Sequence, residues 1–176
     1  MKIPWIFHKD YDIPLPKNHR FSSSKFGDLY TLLIDSELAK YAEVFVPNAA
    51  KDSQLTEVHT RDYISKIKNG NLSNKEEKIL GLPWSETLSK RSYLAVNGTY
   101  LAAKLALVNG IACHLAGGTH HAHANYGSGF CVYNDLAYAA KNIISDGKCK
   151  KVLIIDCDVH QGDGTAEICK NETNIF

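Results

Sequence analysis

The spacing of apolar residues along the chain predicts mainly helices, joined by a few short strands. Two segments carry apolar residues on one helical face, and two more follow a residue suited to cap a helix. The four predicted helices cover residues 25–40, residues 55–67, residues 86–108 after a cap at Ser85, and residues 135–145 after a cap at Asn134. Gly98 interrupts the third pattern, and a close packing contact would explain a glycine there.

Short apolar runs between these helices predict strands at residues 44–46, 111–115 and 152–156. The last run is typical of a buried parallel strand, and residues 175–176 begin one more strand. Residues 69–78 are polar and predict a surface turn. Strands that alternate with helices indicate βαβ units, so the predicted fold class is α/β with a mostly parallel sheet.

Composition indicates one domain with a real core, because 44% of the 176 residues are apolar. The net charge is +1 and no basic block occurs, so neither nucleic acid nor a membrane is an expected partner. The five cysteines form no CxxC pair and are odd in number, which argues against disulfides and thiolate metal sites. We expect small buried thiols in a reducing, cytosolic setting, and the oligomeric state stays open.

A metal-binding pattern follows the predicted strand at residues 152–156. Asp156, Asp158 and His160 alternate, and residues two apart in an extended chain share a face. Carboxylate and imidazole are natural ligands of zinc or a similar divalent metal. By the same alternation Cys157 faces the other way and packs. Thr165 is a reasonable cap for the helix that follows.

A second candidate site lies at residues 117–123, where His120 and His121 follow a double glycine. Imidazole titrates near neutral pH, so an adjacent pair is suited to proton transfer. Each ring needs a partner on its second nitrogen to fix its tautomer, and Asp156 and Asp163 are available.

Residues near this pair have less specific interpretations. His123 is interpreted as exposed or structural, with a residue at the mouth of the site as the alternative. Gly129 lets a substrate approach the backbone closely, and Phe130 could line an apolar tunnel, although a glycine-rich turn with a core Phe is an equal alternative. The isolated histidines are interpreted as structural; they are His8, His19, His59 and His114.

At these residues the chain resembles the zinc-dependent histone deacetylase superfamily. The matching sequences are GGTHHA at residues 117–122, GFCVYND at 129–135 and DCDVHQGDG at 156–164. HRF at residues 19–21, LPWS at 82–85 and Gln161 are similar to the bacterial and class IV-like branch. The resemblance implies the arginase–deacetylase fold, with helices on both faces of a mostly parallel sheet in three layers. Residues 1–176 would form the amino-terminal portion of a single such domain.

The resemblance also implies a metal centre. Asp158 and His160 would bind Zn²⁺, and Asp156 would help to hold a structural K⁺ or Na⁺ ion. The family's third zinc ligand, an Asp, and a Tyr that stabilises the oxyanion would both lie beyond Phe176. A chain truncated there, as a fragment or through an interrupted reading frame, is expected to bind zinc weakly and to turn over slowly.

The implied reaction is hydrolysis of an acetyl-amide, in an acetylated protein lysine or a small molecule such as a polyamine. The acid/base histidines would be His120 and His121, their carboxylate partners Asp156 and Asp163, and the substrate contacts the carbonyl of Gly129 and the ring of Phe130. Zinc would polarise the acetamide carbonyl and acidify water. His121 would transfer the proton, and His120 would give electrostatic support.

Two other functions stay open. An arginase-like ureohydrolase with two manganese ions needs an acidic residue two places after the ligand His, where this chain has Gly162. The other alternative is a non-catalytic fragment or partner surface. Metal analysis combined with an acetyl-lysine assay separates the three.

Overall fold

The computed structural model describes residues 2–176, which contain a parallel sheet of three strands. Strand β1 is Ile3–Ile6, β2 is Ala42–Phe45 and β3 is Cys113–His114, in the order β2-β1-β3. β1 pairs in parallel with both neighbours, and Trp5 lies opposite Cys113. The α/β class with a parallel sheet is therefore confirmed.

The central strand, β1, was not predicted from the sequence. Its apolar run is short and contains Pro4, and proline normally argues against a central strand because it donates no hydrogen bond. Two strands that are distant in sequence nevertheless flank β1 and bury it, so that Ile6 is fully buried. The burial of this strand comes from tertiary pairing, which local periodicity does not report.

Seven α-helices accompany the sheet in the described part of the chain. They are α1 (Lys25–Ile34), α2 (Asp52–Leu55), α3 (Arg61–Asn69), α4 (Asn74–Leu80), α5 (Glu86–Asn109), α6 (Asp135–Ser145) and α7 (Asp163–Cys169). The predicted caps of α5 and α6 are confirmed. The hydroxyl of Ser85 accepts the backbone N–H of Leu88 at 3.1 Å, and Oδ1 of Asn134 accepts that of Ala137 at 2.9 Å.

Two helix predictions and one turn prediction need correction. The predicted helix at residues 25–40 ends at Ile34, and a 3₁₀ turn follows it. The predicted helix at residues 55–67 is two helices, because α2 ends at Leu55 and α3 begins only at Arg61. The predicted turn at residues 69–78 is wrong in its second half, where a capping box between Ser73 and Glu76 begins α4.

The predicted buried strand at residues 152–156 is also wrong. The segment forms only an isolated parallel bridge, between Val152 and Ile175, and joins none of the three strands of the sheet. Leu153 is 68% exposed and Ile155 is 76% exposed. An apolar run becomes a buried strand only where strands pair on both sides, and this run pairs only with the segment that ends at Phe176.

The main core lies where α5 packs against α6 and α3. Tyr138 and Leu88 are among its most deeply buried side chains. All five cysteines are free, as expected, but only Cys131 is buried, so the expectation that most are packed in the core is wrong. Within residues 2–176, no helix is both long enough and apolar enough to cross a membrane.

Gly98, in the middle of α5, lies in a close packing contact, as predicted from the glycine in the helical pattern. A Cβ atom at this position would overlap both the imidazole of His114 and the hydroxyl of Tyr11. These two groups are hydrogen-bonded to each other at 2.8 Å and are held in the interior, so neither can move aside easily.

We expect Gly98→Ala to destabilise the protein by about 1–3 kcal/mol, although alanine favours a helix, because its methyl group would separate His114 from Tyr11. Urea unfolding measures this change. Val108→Ala is the control, because Val108 lies on the same helix and is 83% exposed, and it should change stability by less than about 0.5 kcal/mol. Equal stability of Gly98→Ala and the parent chain would contradict the packing argument.

Candidate active site

The structure brings each adjacent histidine together with the carboxylate expected for it. Nδ1 of His120 lies 2.6 Å from Oδ2 of Asp156, and Nδ1 of His121 lies 2.7 Å from Oδ1 of Asp163. A carboxylate only accepts hydrogen bonds, so Nδ1 carries the hydrogen in each ring and Nε2 is the nitrogen left for other chemistry. The two rings lie 4.2 Å apart between centroids.

Hydrogen bonding keeps both carboxylates ionised. The hydrogen bond from His120 lowers the pKa of Asp156, helped by the backbone N–H of Asp158. The hydrogen bond from His121 likewise lowers the pKa of Asp163. Two negative charges therefore sit behind the two imidazoles at neutral pH, where they would stabilise positive charge on the rings.

The two predicted zinc ligands lie beside this pair. Nδ1 of His160 is 2.9 Å from Oδ1 of Asp158, and the His160 ring is 5.9 Å from that of His121 between centroids. The backbone N–H of His160 donates to the same Asp158 oxygen and lowers the pKa of that carboxyl. The contact between Asp158 and His160 therefore comes from a turn and not from strand alternation. The expectation that Cys157 packs is wrong, because Cys157 is exposed.

The donor set matches zinc in kind. Asp158 and His160 are exposed side chains that pair with each other, and a carboxylate with an imidazole is a common combination in zinc sites. Residues 2–176 contain no group of three or more His, Cys, Asp or Glu side chains placed to hold a metal. A catalytic zinc normally has three protein ligands, so two side chains alone would be fewer than such a site requires.

The histidine loop is fixed from behind by Asn134. Its Nδ2 donates to the carbonyl of Ala122 and to the hydroxyl of Thr165, both at 3.0 Å. The backbone N–H of Thr165 donates to the carbonyl of His120, also at 3.0 Å. The expectation that Thr165 caps a helix is therefore wrong: the cap of α7 is Gly162, and Thr165 attaches that helix to the loop.

Two glycines of the acidic motif allow α7 to approach the loop this closely. A Cβ at Gly164 would overlap the carbonyl of Ala122. A Cβ at Gly162 would lie 2.7 Å from Oδ2 of Asp156 and 3.4 Å from Nδ1 of His120. The acidic side chain that a two-manganese site needs at position 162 would therefore crowd the His120–Asp156 pair.

Gly129 lies against the His121 ring, and Phe130 follows it in the chain. A Cβ at Gly129 would come within 2.7 Å of the His121 ring, and both residues have positive φ, 53° and 67°. The Phe130 ring packs 5.4 Å from that of Phe21 and lines a cleft of about 420 Å³ together with His19. Gly129 is therefore next to the His121 imidazole, as a substrate contact requires, whereas Phe130 faces the cleft with Phe21 and His19.

Sequence reasoning missed two acidic supports of the loop. Asp135 accepts the backbone N–H groups of Gly118 and Thr119, at 3.0 and 2.7 Å, and so fixes the turn before the histidines. Glu167 contacts His123, which is 7% exposed, so the alternative of an exposed His123 is wrong. Only the position of Asp135 directly after Asn134 could have suggested its role.

His59 connects the loop to the helical core. Its Nε2 accepts the backbone N–H of Asn134 at 3.0 Å, so its Nδ1 carries the hydrogen and donates to the carbonyl of His123, also at 3.0 Å. Burial lowers the pKa of His59 to about 4, and it does the same for His114. The interpretation of both as structural histidines agrees with these contacts.

The low pKa of His59 predicts a loss of stability in acid. The unfolded chain takes up a proton near the ordinary pKa of about 6.5, whereas the folded chain does so only near 4, so stability is full above that range and falls as the pH drops through it. Between about pH 7 and pH 5 this amounts to about 2 kcal/mol.

Urea unfolding at these two pH values measures the effect. We expect His59→Gln to be less stable than the parent chain at neutral pH, but to lose less stability on acidification. The slope that remains includes the contribution of His114. The same loss in both proteins would show that His59 is not buried in its neutral form.

The family described as "Histone deacetylase domain" matches residues 19–176. The chain belongs to this family. An uncharacterized protein of Picosynechococcus sp. is 44% identical to it over 176 residues, which are all of this chain and 59% of that protein. The acetoin utilization protein AcuC of Staphylococcus aureus is 35% identical over 159 residues, 84% of this chain and 40% of AcuC.

Two solved deacetylase structures share the fold. The HDA15 HD domain has a TM-score of 0.81 at 20% identity, covering 99% of this chain and 52% of that one. An HDAC homolog complexed with SAHA has a TM-score of 0.77 at 25% identity, covering 100% of this chain and 50% of that one. The deacetylase-family chain described here thus spans between two fifths and three fifths of these relatives.

Proposed function

We propose that this chain supplies part of a zinc-dependent deacetylase site that hydrolyses an acetyl-amide, such as an acetylated lysine. The observation that carries the proposal is the pair His120 and His121. Each is held through Nδ1 by its own carboxylate, and they lie beside Asp158 and His160. Family membership supports the same reaction class.

Asp158 and His160 would hold the zinc, with a third ligand from outside residues 1–176, and Asp156 would also contact a structural K⁺ or Na⁺. Bound zinc would supply a Lewis acid that polarises the amide carbonyl and acidifies water. The chain itself keeps the two metal-coordinating groups, a carboxylate and an imidazole, next to each other. Oδ1 of Asp158 accepts two hydrogen bonds from His160, one from the backbone N–H and one from Nδ1.

His121 would move the proton. It would take a proton from the attacking water at Nε2, because Nδ1 is engaged by Asp163, and would then deliver it to the departing amine nitrogen. Asp163 keeps the ring oriented during both transfers and stabilises its charged form. His120, held in the same way by Asp156, would give electrostatic support.

Gly129 and Phe130 would position the substrate. The backbone carbonyl of Gly129 would accept the substrate amide N–H, and the Phe130 ring would line the tunnel for the acyl-lysine chain. The place of Gly129 next to the His121 ring supports its assignment. We propose the cytosol as the setting, where the five free thiols of the chain would stay reduced. Acetylated proteins and small acetylated amides are the proposed substrates.

We expect purified residues 1–176 to bind Zn²⁺ weakly and to hydrolyse an acetyl-lysine peptide slowly, at a rate that rises with added zinc. Equilibrium dialysis and mass spectrometry of the product measure the two quantities. His160→Ala should abolish the zinc binding. His121→Asn should retain it and stop the reaction. The control is Asp35→Ala, which removes an exposed carboxylate distant in sequence from the site residues. It should change neither the zinc binding nor the rate of hydrolysis.

The alternatives give different results in the same assays. Arginine-type hydrolysis that requires manganese would indicate a ureohydrolase. No zinc binding and no hydrolysis would indicate a non-catalytic chain. Stoichiometric, tightly held zinc with fast deacetylation would contradict the expectation that residues 1–176 hold an incomplete ligand set.

A further inference from the structure

The Asp163 carboxylate is shared by two imidazoles. Its Oδ1 lies 2.7 Å from Nδ1 of His121, and its Oδ2 lies 3.4 Å from Nε2 of His123. His123 is outside the acid/base pair and has no part in the proposed reaction. Its contact with Asp163 nevertheless connects it, through that one carboxylate, to His121, the residue that would transfer the proton.

His123 is held on several sides. Its Nδ1 contacts Oε2 of Glu167, which lies four residues after Asp163 and so one turn further along the same face of α7. Its ring stacks on that of Tyr126, with centroids 4.3 Å apart and planes 12° apart. Its carbonyl accepts the hydrogen bond from His59. The imidazole therefore spans two carboxylates of one helix from a fixed position.

This arrangement restrains Asp163. Both ring nitrogens of His123 face carboxylate oxygens, Nδ1 that of Glu167 and Nε2 that of Asp163. Asp163 is half exposed, so without His123 its Oδ2 would turn to water, and the carboxylate could rotate away from His121. Glu167 holds the opposite nitrogen and so keeps the His123 ring aligned with Asp163.

We propose that His123, supported by Glu167, is a positioning residue that acts through Asp163 to hold His121 in its working orientation. The inference rests on the proposed function for the role of His121 and on the contacts of His123 for the geometry. Groups that orient a functional ligand or base in this indirect way typically account for about 10–100-fold in activity.

Substitutions of His123 separate positioning from packing. His123→Phe retains a ring that can stack on Tyr126 but has no donor for Asp163. His123→Gln places an N–H near the position of Nε2 and can still donate to Asp163. Glu167→Ala removes the outer support and touches neither Asp163 nor His121. Thermal unfolding followed by circular dichroism establishes which of the variants fold.

The main measurement is the proton NMR signal of the His121 Nδ1–H group that donates to Asp163, identified by its absence in His121→Gln. We expect this downfield signal to be lost or strongly broadened in His123→Phe, weakened in Glu167→Ala and retained in His123→Gln. Zinc-stimulated hydrolysis of the acetyl-lysine peptide should fall about tenfold in His123→Phe, mainly in kcat, and recover in His123→Gln.

An unchanged signal in a folded His123→Phe protein would overturn the proposal. If that variant does not fold, an unchanged signal in Glu167→Ala together with its loss in His123→Gln would overturn it equally. The NMR result needs no turnover, so it stands even if no deacetylation is found. Failure of the proposed function and failure of this inference are therefore distinguishable.

Discussion

The arrangement of this site depends on the side-chain amide of Asn134. Its Oδ1 begins α6 by accepting the N–H of Ala137, while its Nδ2 joins the carbonyl of Ala122 to the hydroxyl of Thr165. Its backbone N–H donates to His59. A fully buried amide that uses both ends in this way stabilises the fold only when every partner is in place. The histidine loop, α6 and α7 are therefore ordered together.

That shared anchor explains how a polar site keeps a defined orientation at the surface of the domain. His120 and His121 turn Nδ1 toward ionised carboxylates behind them, so the chemistry available to a substrate is that of Nε2. The carboxylates come from a different segment, which the backbone bond from Thr165 attaches to the loop. The orientation of the two imidazoles therefore comes from contacts on their Nδ1 side, and the Nε2 atoms need few contacts of their own.

The pairing of each adjacent histidine with an Asp could be predicted from the sequence, whereas part of the sheet could not. Ser85 and Asn134 begin helices through local side-chain to backbone bonds, which a sequence pattern reveals directly. Pro4 lies in a central strand, and the apolar residues 152–156 lie outside the sheet, because pairing depends on segments distant in the chain. Glu167 went unrecognised for a similar reason: its partner, His123, lies 44 residues earlier.

Close approach of neighbouring atoms explains the two glycines of the acidic motif, Gly162 and Gly164. Gly162 and Gly164 both have a neighbour where a side chain would lie, and neither has a positive φ, so volume and not backbone freedom excludes other residues. At Gly164, whose neighbour is the backbone carbonyl of Ala122, that exclusion would persist in a descendant that had lost the histidines, as long as α7 still packed on the loop. Gly164 is thus a marker of this packing, and evidence of activity has to come from the residues around it.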